Sequence, residues 1–306
     1  MEQLLIEEFK CREVRSCGSD SGGCISSGSV FSLDGRKVFV KRNPSVGSRT
    51  MFDGEYASLV KLSEAHIFRV PNPIKVFSRA ERSFLVMEHL AISSLHKQAS
   101  NLGAKLAQLH LYNENLKNTV TKNQSFVGKS SGKYVDSFGF DMTTCCGFIP
   151  MNNEWKKDWL QFYAINRLQP QIEKVTATYQ NREVLNLWHE LVTKLPNFFP
   201  NDFKITPSLL HGDFWVGNTG EVGNEPCVFD PACSYGHSEF DLALAHLIGG
   251  FPSDFHNAYH KILPKREGFE NRIKLYKLFY NLNHWNHFGS GYKSSSISLM
   301  HEILKL

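Results

Sequence analysis

The most informative part of this chain runs Leu210-His211-Gly212-Asp213-Phe214-Trp215-Val216-Gly217-Asn218 and resumes, after a polar turn, with Val228-Phe229-Asp230-Pro231. Asn218 follows Asp213 by five residues, and Asp230 lies in a second apolar, strand-like run. Phosphoryl transfer to a hydroxyl requires such a set, because the protein must orient the acceptor, take its proton and hold Mg²⁺ against the phosphates. We therefore expect Asp213 to be the catalytic base, and Asn218 and Asp230 to bind Mg²⁺.

Two unrelated turns are the alternative interpretation of these residues, since Asp, Gly, Asn and Pro all favour turns. The ordered combination directly after the apolar pair Leu209-Leu210 favours the site. Such a site needs three further parts upstream, which are a loop over the phosphates, a lysine and a carboxylate that pairs with the lysine.

A glycine-containing loop is the candidate phosphate cover. Residues 22–28 precede Val30 and Phe31 in a pattern typical of a turn between two strands, where backbone N–H groups can approach phosphate oxygens. A surface hairpin turn is the alternative for such a loop taken alone. The loop residues assigned to nucleotide binding are Gly23, Cys24, Ile25 and Ser26.

A lysine and a carboxylate follow the loop in the expected order. Residues 37–41 alternate like a strand and end on Lys41. Residues 51–62 have helical periodicity, and Glu55 shares the apolar stripe of that helix. A carboxylate buried there needs a cation. We expect Lys41 to pair with Glu55 and to bind the nucleotide phosphates. The alternatives are that Lys41 is a solvated strand lysine and that Glu55 lies in water at the rim of the stripe.

A short apolar strand is predicted at residues 83–90, before a long helical pattern that begins near Ser94. The exit of such a strand is a place where an adenine edge can bond to the main chain of a hinge. An ordinary core strand that ends in a turn is the alternative. The residues assigned to adenine binding are Met87 through its side chain and Glu88, His89 and Leu90 through their main chain.

With these residues in view, the chain resembles the fructosamine-3-kinase family, which includes the ketosamine-3-kinases. The resemblance extends over essentially the whole length. Its marks are residues 1–5, 22–26, 38–41, 86–90, 144–148, 210–218, 235–239 and 282–289. It implies an α+β, two-lobed protein-kinase-like fold of the aminoglycoside and choline kinase branch, with a small β-rich N-terminal lobe and a larger helical C-terminal lobe.

The resemblance also implies an activity. Members of the family use ATP and Mg²⁺ to phosphorylate the 3-hydroxyl of a ketosamine on a glycated protein. Because the 3-phosphate is a good leaving group next to a carbonyl carbon, the product falls apart and frees the amine, which is protein deglycation. Residues 162–164, 168–171 and 288–292 look closer to the ketosamine-3-kinase branch, which accepts ribulosamines and psicosamines, than to the fructosamine branch.

The same resemblance implies that the acceptor pocket includes Trp215 and His284. Phe214 and Val216 depart from the family's usual residues beside the catalytic Asp, and we expect them to reshape this pocket. Another acceptor on the same fold, such as an amino sugar or choline, is the alternative. Choline would need an aromatic cage, which Trp215 alone does not supply.

Composition favours a soluble cytoplasmic protein. The chain has 306 residues, of which 42% are hydrophobic, enough for one large domain or a two-lobed one. No apolar run approaches the roughly 20 residues that span a bilayer, and the first residues lack a secretory pattern. Dispersed Lys and Arg give a net charge of +4, which does not indicate nucleic-acid binding. The expected partner is a glycated protein or a small ketosamine, with no nucleic acid and no membrane.

One of the seven cysteines, Cys24, lies in the proposed phosphate loop. Nearby N–H groups or Lys41 would lower the pKa of its thiol. The resemblance implies that this cysteine can link two chains, so we expect a monomer or a redox-dependent homodimer. A small residue that merely fits a tight turn is the alternative. A non-enzymatic redox sensor that binds nucleotide through Cys24 is the third functional hypothesis.

The predicted organisation is an N-terminal nucleotide-covering lobe of residues 1–90 and a helical catalytic and substrate lobe of residues 91–306. Helices are predicted at 182–194 and 269–287, and another is predicted to open at Trp155. Residues 118–133 are predicted to form a mobile polar insert. No extended activation segment is expected after Asp230, because a capped helix start follows at 236–243.

Overall fold

The structure is a computed structural model that describes residues 1–18, 27–122, 133–200 and 203–306. Its N-terminal part is built around a five-stranded antiparallel sheet. In spatial order the strands are β1 (Val14–Gly18), β2 (Ser27–Leu33), β3 (Arg36–Asn43), β5 (Arg82–Glu88) and β4 (Pro73–Arg79). Two helices accompany the sheet, α1 (Glu2–Phe9) and α2 (Ser48–Glu64).

Alternation along β3 gives the sheet two different faces. Val38 and Val40 are buried in a small cluster with Leu5 of α1, so α1 covers that face. Lys41 lies on the opposite face and is buried as well, which is unusual for a strand lysine. The face that carries Lys41 is therefore the face where a charged partner is needed.

The apolar stripe predicted for α2 is confirmed. Phe52, Leu59 and Leu62 are fully buried and join the large core cluster rather than the small one under α1. Gly54 allows a close approach, because a Cβ at this position would lie 2.3 Å from the carbonyl oxygen of Thr143. Helix α2 is thus packed against the C-terminal part of the chain as well as against the sheet.

The described residues of the rest of the chain are mainly helical and include three two-stranded ribbons. Its elements are α3 (Ala99–Lys122), β6 (Thr144–Cys146), β7 (Ile149–Met151), α4 (Trp159–Gln161), a π-helical segment (Phe162–Leu168), α5 (Gln169–Tyr179), α6 (Arg182–Lys194), β8 (Ser208–Leu210), β9 (Thr219–Val222), β10 (Glu225–Val228), β11 (Ser234–Gly236), α7 (Glu239–Ile248), α8 (Ser253–Ile262), α9 (Phe269–Phe288) and α10 (Lys293–Leu304). The large core lies among α3, α7, α8 and α9 and the π-helical segment.

Three boundaries differ from the sequence prediction. The predicted polar insert begins as helix, since α3 continues to Lys122, and residues 123–132 lie outside the described part. The helix expected from Trp155 starts at Trp159, because Asp158 accepts a hydrogen bond from the Gln161 N–H and caps it there. Helix α7 begins three residues into the predicted range, at Glu239, without a side-chain cap. The helices predicted at 182–194 and 269–287 are confirmed.

In the described ranges, no helix is both long enough and apolar enough to cross a membrane.

Candidate active site

Two short ribbons bring the predicted catalytic residues together. Strand β8 pairs with β11, and His211, the first residue after β8, accepts a hydrogen bond from the Ala232 N–H at 2.8 Å. Strands β9 and β10 form the hairpin that joins Asn218 to Asp230, and the Phe229 N–H donates to the Asn218 carbonyl at 3.1 Å. The residues at 211–218 and at 230 are therefore neighbours, although ten residues lie between Asn218 and Phe229 in the sequence.

Asp213 and Asn218 are in direct contact. The side-chain N–H₂ of Asn218 donates to the carboxylate of Asp213 at 2.8 Å and to its carbonyl oxygen at 2.9 Å. Because the nitrogen of this amide is used by Asp213, the amide oxygen is directed elsewhere and is the atom suited to a hard cation.

The carboxyl group of Asp213 has the proton affinity of a general base. Burial is the main cause that raises its pKa to about 7, and the nearby carboxylates of Asp230 and Asp241 act in the same direction, against the opposing effects of Asn218 and Lys41. A base whose pKa lies near neutrality is available in its deprotonated form at neutral pH and still has enough proton affinity to remove a proton from the acceptor.

Lys41 joins the two parts of the chain. Its ammonium lies 2.6 Å from Glu55 Oε1 and 2.7 Å from Asp230 Oδ1. Burial lowers the pKa of Lys41, but the two carboxylates outweigh burial and raise it above its usual value. Burial raises the pKa of Glu55, against the effect of Lys41. The predicted Lys41–Glu55 pair is present, and Asp230 is a second partner that the sequence did not indicate.

Asp230 has a backbone conformation that fits a functional position. Its φ of 56° is in the left-handed region, which is uncommon for a residue other than glycine. Its side chain is 41% exposed, in contrast to the buried Lys41. The carboxylate therefore faces both the lysine and the open side of the site.

The oxygen donors at this position suit Mg²⁺. Asp230 offers a partly exposed carboxylate, and Asn218 offers an amide oxygen. Mg²⁺ is commonly held by one or two such groups, with water and substrate phosphates completing its shell. Over the described ranges, no cluster of three or more His, Cys, Asp or Glu residues is arranged around a metal position. The two residues fit a metal that is shared with a bound phosphate chain.

Asp241 is a functional residue that the sequence reasoning missed. This residue of α7 is fully buried, and its two carboxylate oxygens accept the backbone N–H groups of His211 at 2.7 Å and Gly212 at 2.8 Å. Behind it, the Nε2–H of His110 donates to the same carboxylate at 3.2 Å. Asp241 thus fixes the main chain directly before Asp213, the predicted catalytic base. An acidic residue inside the apolar run 240–245 was the available signal.

Replacing Asp241 with Asn should loosen the catalytic loop. An amide has only one accepting atom, so one of the two N–H groups from His211 and Gly212 would be buried without a partner, at a cost of about 1–3 kcal/mol. We expect the free energy of unfolding in urea to fall by that amount and kcat to fall about tenfold, with the KM for ATP changed less. Asp254→Asn, at an exposed position of α8, is the control. Unchanged stability and kcat in Asp241→Asn would contradict this role.

Gly212 is required by the same loop. Its φ is +84°, and a Cβ would lie 1.9 Å from the carbonyl oxygen of Ala232. A side chain here is excluded both by backbone conformation and by space.

Helix α2 is held to the strand that follows Asp230. The Cys233 N–H donates to the hydroxyl of Ser58 at 3.0 Å, and that hydroxyl donates to the Gly54 carbonyl at 2.8 Å. Glu55 lies between these two residues of α2. Its position relative to Lys41 is therefore determined by contacts within the fold rather than by an extended activation segment.

The predicted hinge lies at the end of β5. Met87 is buried in the large core cluster. The N–H of Glu88 donates to the Asn72 carbonyl at 2.8 Å, and the side chain of Glu88 forms an ion pair with Arg69. The main-chain N–H of Glu88 is therefore already used, and the carbonyl of Leu90 accepts a hydrogen bond from the Ile92 N–H at 3.0 Å.

Glu221 connects the predicted hinge to the β9–β10 hairpin, a contact that the sequence did not indicate. Its backbone forms two 2.9 Å hydrogen bonds with Ser93, and its carboxylate accepts the N–H groups of His96 and Gln98 at 2.7 Å, just before α3. These hydrogen bonds, that from Gln98 first, lower the pKa of Glu221.

The residues expected around the acceptor pocket have different environments. Trp215 is partly buried against the core, and its ring lies over Gly217, where a Cβ would be 2.1 Å from the indole. His284 contacts the rings of Phe288 and Tyr292, with centroids 5.8 and 5.2 Å away.

The expectation that Phe214 reshapes the pocket is wrong. Its side chain is fully buried and stacks on Phe251 and Phe255. Val216 is half-buried and adjoins Gly250, where a Cβ would lie 2.9 Å from its side chain.

The phosphate-loop assignments cannot be placed in the site. Gly23, Cys24, Ile25 and Ser26 all lie outside the described residues. The flanking strands β1 and β2 form the expected antiparallel pair, in which Gly18 is opposite Val30.

Comparison with solved structures defines the class of protein. The chain superposes on aminoglycoside phosphotransferase APH(4)-Ia with a TM-score of 0.58, at 15% sequence identity, covering 100% of this chain and 98% of that one. A fructosamine-3-kinase homologue from Haemophilus somnus gives a TM-score of 0.78 at 26% identity, covering 99% and 96%. The predicted α+β protein-kinase-like fold, with a β-sheet N-terminal region and a helical C-terminal part, is confirmed.

Sequence comparison identifies the family. The fructosamine kinase family model matches residues 1–306. Ketosamine-3-kinase of Mus musculus is 47% identical over 310 residues, covering 100% of both chains, and the chloroplastic protein-ribulosamine 3-kinase of Arabidopsis thaliana is 35% identical, covering 100% of this chain and 88% of that protein. The chain belongs to the fructosamine kinase family.

Proposed function

We propose that this protein is an ATP- and Mg²⁺-dependent ketosamine 3-kinase that acts on glycated proteins and small ketosamines and so leads to deglycation. The observation that carries the proposal is the contact of Asp213 with Asn218 beside the Lys41–Glu55–Asp230 ion-pair network. The relatives named as ketosamine-3-kinase and protein-ribulosamine 3-kinase support the choice of acceptor.

In this mechanism the residues of the chain orient the reactants and move one proton. Asp213 positions the sugar 3-hydroxyl and accepts its proton as the oxygen attacks the γ-phosphorus of ATP. Lys41 is held by Glu55 and Asp230 for contact with the phosphates. Asn218 and Asp230 would hold Mg²⁺, which neutralises charge that develops on the phosphate oxygens.

The ketosamine explains what happens after transfer. The new phosphate lies on C3, directly next to the C2 carbonyl. Loss of a proton from C1, on the other side of that carbonyl, gives an enaminol that expels inorganic phosphate from C3 and leaves an imine at C1. Subsequent hydrolysis frees the amine. No residue of this chain is needed for the release, because the instability belongs to the product.

Finer assignments remain part of the proposal. We place Trp215 and His284 at the sugar, Met87, Glu88, His89 and Leu90 at the adenine, and the lobe boundary near residue 90. We also retain ribulosamine and psicosamine as preferred sugars, a cytoplasmic location, nucleotide binding by Gly23, Cys24, Ile25 and Ser26, and a redox-dependent homodimer linked through Cys24.

A panel of acceptors tests the proposal. The protein is incubated with Mg-ATP and, in parallel, ribulose-lysine, fructose-lysine, an aminoglycoside, choline or buffer, and ADP release is followed under reducing conditions. We expect turnover with the ketosamines, ribulose-lysine ahead of fructose-lysine. Turnover with choline alone or with the aminoglycoside alone would show that the acceptor is that compound and not a ketosamine. No turnover, together with ATP binding and thiol-dependent dimerisation, would favour the redox sensor.

A further inference from the structure

A cavity of about 340 Å³ lies in the helical part of the chain, where α3, α7 and α8 meet. Its lining includes His110 of α3, Leu242 of α7 and Tyr259 of α8, and all three side chains are buried. None of the described residues that we assign to the nucleotide, the metal or the acceptor lines it. Its volume is within the range of small-molecule sites, roughly 300–1,000 Å³. The cavity is therefore large enough for a ligand that the active site does not explain.

His237 brings a buried N–H group to this cavity. Its Nδ1 lies 2.8 Å from the hydroxyl of Tyr276, and that hydroxyl accepts the indole N–H of Trp159 at 2.8 Å. Every group is paired when the Tyr276 hydroxyl donates its own hydrogen to Nδ1, so we assign the ring hydrogen of His237 to Nε2. Oε1 of Glu239 is 4.0 Å from Nε2, too far for a hydrogen bond. Among the described residues, this N–H group thus lacks an acceptor.

The cavity has a positive electrostatic potential. Lys204 and Arg266 line it at exposed positions, and the Arg266 guanidinium donates to the Lys204 carbonyl at 2.9 Å. In the described ranges, neither forms an ion pair with a carboxylate. Both oxygens of the buried Glu239 carboxylate are used by Arg272, at 2.7 and 2.8 Å. Burial is the main cause that lowers the pKa of His237, and Arg272 and Arg266 act in the same direction, as a surplus of positive charge requires.

The donors of the cavity suit a phosphate group. Besides His237, they are three hydroxyl groups, those of Thr206, Ser208 and Ser238. Ser238 also marks the N-terminus of α7, the positive end of its helix dipole. A phosphate group offers several acceptor oxygens and the negative charge that Lys204 and Arg266 lack as a partner.

The rest of the lining limits the size and character of the ligand. Leu242 and Phe269 are apolar and suit a short carbon body attached to the phosphate. Glu114 is the remaining acidic residue of the lining, and it is exposed, so its carboxylate stays in water. Inorganic phosphate would leave most of the cavity empty. The expected ligand is therefore a small organic phosphate.

A ligand in this cavity would contact residues that hold the catalytic loop. Nδ1 of His110 lies 2.8 Å from the Tyr259 hydroxyl, and its Nε2–H donates to Asp241 at 3.2 Å. Asp241 in turn accepts the backbone N–H groups of residues 211 and 212. Ser208 begins β8, the strand that ends directly before this loop. Occupation of the cavity would therefore stabilise the loop in the arrangement that the structure shows.

We propose that this cavity binds a small organic phosphate, which acts through His110 and β8 as an activating effector of the catalytic loop. The binding site goes beyond the proposed function and does not depend on which acceptor the enzyme uses. The effect on turnover rests on the proposed function, since it is measured with a ketosamine.

The binding test uses glycerol 3-phosphate as the probe. It is titrated by calorimetry into full-length enzyme that is saturated with Mg²⁺ and AMP-PNP, so that the nucleotide site is already filled. We expect one saturable site, and Lys204→Met should weaken the affinity about tenfold through loss of one charged contact. Lys261→Met, at an exposed position of α8 outside the cavity, is the matched control and should stay within twofold. No saturable binding, or equal affinity in Lys204→Met and the unmodified enzyme, would overturn the site.

The effector role is tested by turnover with saturating Mg-ATP and ribulose-lysine. Glycerol 3-phosphate should raise kcat about twofold or more, with a midpoint at its calorimetric Kd, and Lys204→Met should need about tenfold more of it. An unchanged kcat despite binding would overturn the effector role. A higher KM for ribulose-lysine with the same kcat would place the probe at the acceptor pocket and contradict a remote site. If no ketosamine is turned over at all, the proposed function fails, whereas the calorimetric result still decides whether the cavity binds the phosphate.

Discussion

Asp213→Asn should lower kcat by about 10²- to 10⁴-fold while the affinity for ATP stays nearly unchanged. An amide cannot accept the proton of the acceptor hydroxyl, but it keeps the size of the carboxyl group and its place beside Asn218. Because the proposed role of Asp213 is to act on the acceptor rather than on the nucleotide, the loss should appear in kcat and not in ATP binding. Turnover by steady-state ADP release and ATP affinity by calorimetry together measure this separation.

The pH dependence of the unmodified enzyme provides the control. The pKa of Asp213 is raised to about 7, so the base is ionised above that pH and becomes protonated as pH falls through it. The value of kcat/KM for the acceptor should therefore decrease on the acid side, with a midpoint at or below 7, since bound Mg²⁺ would lower the pKa. An Asp213→Asn enzyme that retains normal turnover would contradict the role of Asp213.

Lys41→Met should have the second largest effect, a decrease of about 10²- to 10³-fold in kcat/KM for ATP. Lys41 is the buried cation between Glu55 and Asp230, and its removal takes away both the charge for the phosphates and the counter-ion of two carboxylates. Methionine keeps the apolar stem of the side chain. The measurement is kcat/KM for ATP at saturating ketosamine.

Lys37→Met is the matched control, because Lys37 is an exposed lysine on the same strand, β3. We expect its kinetics to remain within twofold of the unmodified enzyme. Equal kinetics of Lys41→Met and Lys37→Met would show that the buried lysine has no special part in phosphate binding.

The parts of the site that the sequence predicted are those with a local pattern. Asp213 and Asn218 are five residues apart, and Glu55 shares a helical stripe with Phe52 and Leu59, so spacing alone indicated their roles. The strand that carries Lys41 was equally clear, because the alternation of β3 is strong. Each of these signals lies within about one helical turn or one strand.

The parts that escaped prediction depend on contacts between distant segments. Asp241 acts through N–H groups of residues 211 and 212, and Glu221 reaches across to 96 and 98, so neither role has a local pattern. Phe214 was misassigned because its neighbour in sequence is the predicted catalytic base, whereas its side chain points into the core. Adjacent residues of a loop can face opposite environments, and sequence position does not show which.

Identification of the phosphorylated product tests the central claim most directly. The protein is incubated with Mg-ATP and ribulose-lysine, and the product is examined by ³¹P and ¹³C NMR and then by assay of free lysine. We predict one phosphate on O3 for each ADP formed, followed by spontaneous appearance of free lysine and inorganic phosphate. Phosphate on another oxygen of the sugar, or ADP formed without any sugar phosphate, would contradict the account.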